Sequence, residues 1–210
     1  MTLTNAELAY QEILLKIIKS ELSPGAVVNE TELMDSLGFG RTPVREALKR
    51  LEVENFVVVI PRRGMFIAPI TYTEINRIYE VRVELEGLAV RIAADRRSDS
   101  QLKKMENYLE KNEILGNVSI EYLIELDRHF HFMLYDMVHN VHLTGDLQRY
   151  YYMSQRIWFY CYDSLEPGFV GLADHSAIFE AVKEQNVKCA EERMRAHIKH
   201  FQNYIKEYLF

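Results

Sequence analysis

Asp127 and His131 stand four residues apart in a segment of helical periodicity, which puts both side chains on one face about a turn apart. A carboxylate and an imidazole so placed begin a metal site. His175 and His197 lie in two later helical segments. A bundle that packs those segments against the first would bring three imidazoles and one carboxylate together. That donor set suits zinc, with nickel, manganese or iron as alternatives, and an open position would let a carboxylate-bearing ligand bind the ion directly. Spacing alone does not single the set out, because seven His in 210 residues give such pairs by chance. His129 points off the shared face, and His139, His142 and His200 read as surface or helix-end groups.

A second chemistry lies nearer the N-terminus. Arg41 and Arg45 are four apart at the start of a short helical segment, with Thr42 between them and Lys49 a further turn along. Arg62 and Arg63 follow in an apparent hairpin tip, before Gly64. Arg can fork a phosphate or reach guanine O6 and N7 bidentately, and a glycine at the tip lets backbone come close. The alternative is a solvated charged face. Net charge is −6, which disfavours a surface built throughout for nucleic acid. The average conceals a division, since residues 1–70 carry a net −1 and residues 71–210 a net −5. Within positions 41–63 the balance is +3.

The elements that would place these groups can be read along the chain. A helix is expected from Asn5 to Ser20, with Leu8, Ile13, Leu15, Ile17 and Ile18 as its apolar positions, broken by Ser23-Pro24-Gly25. Asn29 caps a second helix through Leu37, with Glu32 completing a capping box and Gly38 ending it. A third helix starts around Thr42-Pro43, buries Val44, Ala47, Leu48 and Leu51, and stops at Asn55. Two short apolar runs, the β-branched 56–60 and 65–68, flank the turn at Pro61-Arg62-Arg63-Gly64 and read as a hairpin. Together these make a winged helix-turn-helix.

Beyond Pro69 helical periodicity takes over. Helices are expected near 72–97, 99–115, 119–139, 142–164, 169–185 and 188–208, with breaks that include Gly116-Asn117 and Pro167-Gly168. The fold class is mainly α: a winged helix over 1–70 and an all-α six-helix bundle over 71–210. Aromatics from Tyr150 to Tyr162 read first as core. Cys161 and Cys189 form no motif, and no stretch has the start of a signal peptide or the run of a membrane helix, so a cytoplasmic protein is expected.

The string from Leu37 to Leu51, with Arg41-Thr42-Pro43-Val44-Arg45-Glu46-Ala47-Leu48 at its centre, and Pro61-Arg62-Arg63-Gly64 after it, resembles the DNA-binding domain of GntR-family bacterial transcription regulators. The resemblance implies operator contacts from Arg41, Thr42, Arg45, Arg63 and Gly64. Two positions depart from the family pattern. Gly40 stands where a Ser or Thr caps the recognition helix, and Thr31 where other members carry Arg.

The rest of the chain resembles the FCD effector domain of the FadR subfamily, in its shorter, VanR-type, six-helix branch. The strings are 80–86, 126–131, 174–178 and 194–197. In metal-binding members the four ligands align with Asp127, His131, His175 and His197. The equivalent of Arg82 faces the effector pocket there and can pair with a carboxylate, and Arg156 is a second candidate. For both, the alternative is a buried ion pair with a Glu of a neighbouring helix.

The reading that follows is a homodimeric regulator of a palindromic operator, one winged helix to each half-site. Its DNA binding would respond to a small organic acid bound beside the metal, with repression relieved by that ligand. Two alternatives stay open: a regulator for which the ion itself is the signal, and a metal-dependent hydrolase.

Overall fold

The computed structural model describes residues 3–112, 118–161 and 172–209. Their contacts divide into two compact units, one running to Thr71 and including Gln155–Tyr160, the other holding Tyr72–Ser154 and the chain from Cys161 onward.

In the first unit, helix α1 (Asn5–Ile18) opens with a capping box in which the Thr4 side chain and Glu7 exchange hydrogen bonds with each other's backbone. It buries Ala9, Ile13, Leu14, Ile17 and Ile18, whereas Leu8 and Leu15 are exposed. The expected apolar face was therefore rotated by one position in two places. Helix α2 (Glu30–Leu37) is capped by Asn29, whose Oδ1 accepts from the Thr31 and Glu32 amides. The Asn29 side-chain amide in turn donates to Glu32 Oε1 at 2.7 Å, so the cap is closed side chain to side chain and not through the Asn29 backbone. Gly38 ends α2 at φ 70°, a left-handed conformation that favours glycine.

Helix α3 (Arg41–Val53) buries Val44, Ala47, Leu48 and Leu51 against α1 and leaves Arg41, Thr42, Arg45 and Lys49 outside. Asn55 follows it at φ 64°, as its type suggests. Strands β1 (Val57–Ile60) and β2 (Gly64–Ile67) pair antiparallel, with Val57 opposite Ile67. Residues 25–28 add a third edge that periodicity did not reveal. Ile67 bonds both the Gly25 amide and the Ala26 carbonyl, and Met65 accepts from Val28.

Six helices follow among the described residues, α4 (Tyr72–Arg96), α5 (Asp99–Lys111), α6 (Ile120–Val138), α7 (Val141–Tyr160), α8 (Leu172–Lys183) and α9 (Val187–Leu209), all in the second unit except for the Gln155–Tyr160 end of α7. The Gly116-Asn117 and Pro167-Gly168 breaks, the expected helix start at 169 and Tyr162 lie outside the described residues. No described helix is long and apolar enough to cross a membrane. Helix α4 is central, packing on α6, α8 and α9. Its buried stripe runs Ile75, Ile78, Tyr79, Arg82, Val83, Glu86, Val90, Ala93 and Ala94, the helical period with two charges inside it. Gly87 interrupts α4 at a propensity cost of about 1 kcal/mol. A Cβ there would meet Arg195 Nε of α9 at 2.7 Å, and Arg195 runs on to fork Glu84 at 2.5 and 2.7 Å. Arg97 donates to the Val182 and Lys183 carbonyls at the end of α8, joining another pair of elements.

Gly40 caps α3 with no side-chain hydrogen bond, at φ −70°, and nothing lies within 4 Å of a Cβ added there. A hydroxyl would fit. Gly40→Ser should therefore raise stability by a few tenths of a kcal/mol, read from urea unfolding, and a measurable loss would contradict this account of the cap.

Candidate metal centre and DNA-reading surface

Asp127 and His131 sit in the buried stripe of α6, among Leu123, Ile124, Phe130 and Leu134. His175 comes from α8 and His197 from α9, and all four side chains are at most 2% exposed. Helix packing thus brings together residues 70 positions apart. One donor atom from each lies within 4.8 Å of every other. The convergence is on Asp127 Oδ1, with Nε2 of His175 at 3.1 Å, of His131 at 3.7 Å and of His197 at 3.9 Å. Asp127 Oδ2 is turned the other way and accepts from the Tyr151 hydroxyl at 2.7 Å.

Burial of such groups without partners is costly, by about 1–3 kcal/mol for each unsatisfied atom. Yet Nε2 of His131 and Nε2 of His197 are buried and have no hydrogen-bond partner among the described residues. Both face the carboxylate from beyond hydrogen-bond distance. An ion bound at 2.0–2.2 Å from N and O donors separates them by about 3–4 Å, so these four atoms need only a small contraction to surround one. The three imidazoles and one carboxylate fit a divalent transition metal, which would supply a Lewis-acidic centre for an oxygen ligand.

The electrostatics favour an ionised Asp127 beside uncharged His175 and His197. Burial alone would push the Asp127 carboxyl up, but the three imidazoles outweigh it and hold the group well below the usual carboxylate range. Burial lowers His175 to about 4, against the pull of Asp127, and lowers His197 despite its bond to Asp174. His175 and His197 are therefore neutral at pH 7. The His175 ring is fixed by stacking on Phe130 at 3.9 Å between centroids.

Arg82 lies one step away. Its Nη1 donates to Ser154 Oγ at 2.6 Å and its Nη2 to Glu86 Oε1 at 3.0 Å. The buried partner is thus a Glu one turn along the same helix, and not one from a neighbouring helix as the sequence alternative had it. Glu86 Oε1 also accepts from Tyr135, and its Oε2 faces His131 Nδ1 at 3.1 Å. Burial would raise Glu86, but His131, Arg82 and Tyr135 together bring it down to about 2. Arg156 falls in the first unit, where its Nη2 donates to the Pro69 carbonyl at 3.4 Å, and the four donors fall in the second. Glu86, Tyr135, Tyr151 and Asp174 were missed as site residues. For Glu86 the signal was present: two charges at i and i+4 in an otherwise apolar stripe.

On the other unit, Arg41, Arg45 and Lys49 form an exposed row along α3, with Thr42 exposed beside its start. Arg45 is loosely tied to Glu30 at 3.7 Å. Arg50 is engaged elsewhere, bonded to Glu54 at 2.9 Å and lying 3.7 Å over the Tyr10 ring. Exposed Arg62 and Arg63 close the hairpin in a left-handed turn, with Arg62 at φ 64° and Gly64 at φ 106°. Gly64 is in a region that L side chains rarely adopt.

Residues 5–67 match the family described as bacterial regulatory proteins, gntR family, and residues 77–200 match the FCD domain. The chain is 31% identical over 202 residues to an uncharacterized HTH-type transcriptional regulator, YdhC, of Bacillus subtilis, covering 95% of this chain and 90% of that protein. The chain belongs to the GntR family, with an FCD domain. It is 24% identical over 208 residues to the transcriptional repressor RspR of Escherichia coli, at 94% and 87% coverage. The solved structure of E. coli McbR/YncC superimposes with a TM-score of 0.83 at 20% identity, over 98% of this chain and 99% of that one.

A GntR-family chain is a DNA-binding transcription regulator and not an enzyme, so the hydrolase alternative falls. The buried cluster then belongs to the FCD domain of a regulator. Its ion pair also holds the fold: with Arg82 gone, Glu86 would keep a buried charge without its guanidinium partner. Arg82→Met should destabilise the helical unit by about 3–5 kcal/mol. Urea unfolding followed by circular dichroism measures this, and a change under 1 kcal/mol would show the pair to be dispensable.

Proposed function

We propose that this regulator binds a palindromic operator as a homodimer and that its helical domain holds a divalent transition metal at Asp127, His131, His175 and His197. The observation that carries the metal is the pair of buried, unpartnered Nε2 atoms aimed at one carboxylate oxygen. Zinc suits the N3O donor set, with nickel, manganese and iron separated from it by geometry and supply. Metal binding to the folded state alone adds about 2.7 kcal/mol of stability at a hundredfold excess over Kd. Zinc should therefore raise the melting temperature of chelator-treated protein, and His131→Ala should abolish that rise. An equal rise in the variant would place the ion elsewhere.

The role assigned to the exposed row is operator reading. Arg41, Thr42 and Arg45 sit at the N-terminal end of α3, the end that meets base edges when such a helix enters the major groove. Lys49, Arg62, Arg63 and Gly64 would then lie against phosphates or a neighbouring minor groove. Arg45→Ala should weaken specific binding by about 1–3 kcal/mol, seen as a roughly five- to hundredfold rise in the operator Kd in a gel-shift series. Undiminished affinity would remove Arg45 from the contact set.

The signal we assign is a small organic acid whose carboxylate completes the metal's coordination and engages Arg82, relieving repression by shifting the dimer away from its DNA-competent form. One observation favours a second reading. Arg82 is already held within the bundle, Nη1 donating to Ser154 and Nη2 to Glu86, and its Nε–H has no partner among the described residues. Such an arginine suits a regulator for which the ion itself is the signal. Operator affinity measured against free zinc, with no acid present, separates the two readings. Dependence on zinc alone selects the metal sensor, and dependence only when an acid is added selects the acid sensor.

A further inference from the structure

Two of the three imidazoles are held from behind by carboxylates. Glu86 Oε2 lies 3.1 Å from His131 Nδ1, and Asp174 Oδ2 lies 3.3 Å from His197 Nδ1. An ionised carboxylate only accepts hydrogen bonds, so in each pair Nδ1 is the donor. A neutral ring with its proton on Nδ1 keeps a bare lone pair on Nε2, and those are the two nitrogens left unpartnered beside Asp127. Glu86 is itself fixed on its other oxygen by Arg82 at 3.0 Å and Tyr135 at 2.5 Å. Four side chains, Arg82, Tyr135, Glu86 and His131, thus form a chain of contacts that ends at the metal centre.

We propose that Glu86 and Asp174 are positioning residues for the metal, each fixing one imidazole in the tautomer and ring orientation that turns Nε2 to the ion. The inference rests on the metal reading above and goes beyond it, because neither carboxylate is among the four ligands. The two supports differ in access. Glu86 is 1% exposed and sealed in the bundle. Asp174 is half exposed and lines an open cavity of about 450 Å³ with Arg193, His197 and His200, so water competes for its bond to His197. Glu86 therefore has the larger effect.

Glu86→Gln is the sharpest probe. The amide oxygen can keep the bonds from Arg82 and Tyr135, which turns the amide NH2 toward His131 Nδ1. A donor there drives the proton to Nε2 and blocks that nitrogen as a ligand. The experiment takes zinc-free full-length protein and measures zinc affinity by competition with a chelating dye. Melting curves without zinc check the fold, and long-range proton–nitrogen NMR reports the tautomer of His131. We expect one zinc per wild-type chain, affinity lowered roughly 10- to 100-fold in Glu86→Gln and about tenfold in Asp174→Ala. The His131 signal should move to the Nε2-protonated form in Glu86→Gln.

Wild-type protein that takes up no zinc would overturn the metal reading and the positioning role with it. Wild-type uptake together with folded Glu86→Gln and Asp174→Ala variants that bind zinc within twofold of wild type would overturn the positioning role alone. If Glu86→Gln does not fold, Tyr135→Phe takes its place, because it removes one bond to Glu86 and keeps the ring. Weaker zinc binding there supports the role, and unchanged affinity in both Tyr135→Phe and Asp174→Ala overturns it.

Discussion

The helical unit is organised around one electrostatic constraint: the Asp127 carboxylate is fully buried, and a buried charge must be compensated on every side. Compensation comes from three imidazoles on three helices and from the Tyr151 hydroxyl on a fourth. The requirement fixes how α6, α7, α8 and α9 face one another. It propagates one layer further through His131 to Glu86 and Arg82, which brings in α4 and, through Ser154, α7 again. A polar network of this extent is stable only when satisfied throughout, and the two unpartnered Nε2 atoms are where protein groups alone leave it incomplete.

This incompleteness suits a site that an ion would complete. The apolar contacts around the site, such as Phe130 stacked on His175 and Phe201 edge-on to His197, hold the rings in place and leave their nitrogens to other partners. An ion at the centre would satisfy Asp127 and both open nitrogens together, joining three helices through a single object. The winged helix works on the opposite plan. Its core of Ile13, Ile17, Val44, Leu48, Leu51 and Phe56 is apolar, and its cations stand on the outside where water solvates them until a polyanion arrives.

Much of this was legible in the sequence because periodicity reports directly on burial. The helical stripes of α4 and α6, the hairpin around Pro61–Gly64 and the stop at Asn55 all follow from local chemistry. The Asp/His cluster was half local, since Asp127 and His131 share a turn, and half tertiary, since only packing adds His175 and His197. What escaped was of two kinds. The faces of α1 were displaced at Leu8 and Leu15 because Ala9 and Leu14 fit the core equally well by type. Tyr151 and Asp174 escaped because they bond the far side of another member of the cluster, which no spacing rule encodes, and Glu86 escaped although its spacing from Arg82 marked it. The third edge of the sheet at 25–28 escaped for a similar reason, since backbone pairing there is set by where the hairpin folds back.

The central claim is that four named donors surround one ion, and zinc-edge X-ray absorption on the reconstituted regulator tests it most directly. The account predicts a first shell of nitrogen and oxygen at about 2.0–2.2 Å, with the multiple scattering of three imidazoles and no sulfur. A shell containing sulfur, fewer than three imidazoles, or a spectrum unchanged when His197 is replaced by Ala would contradict it.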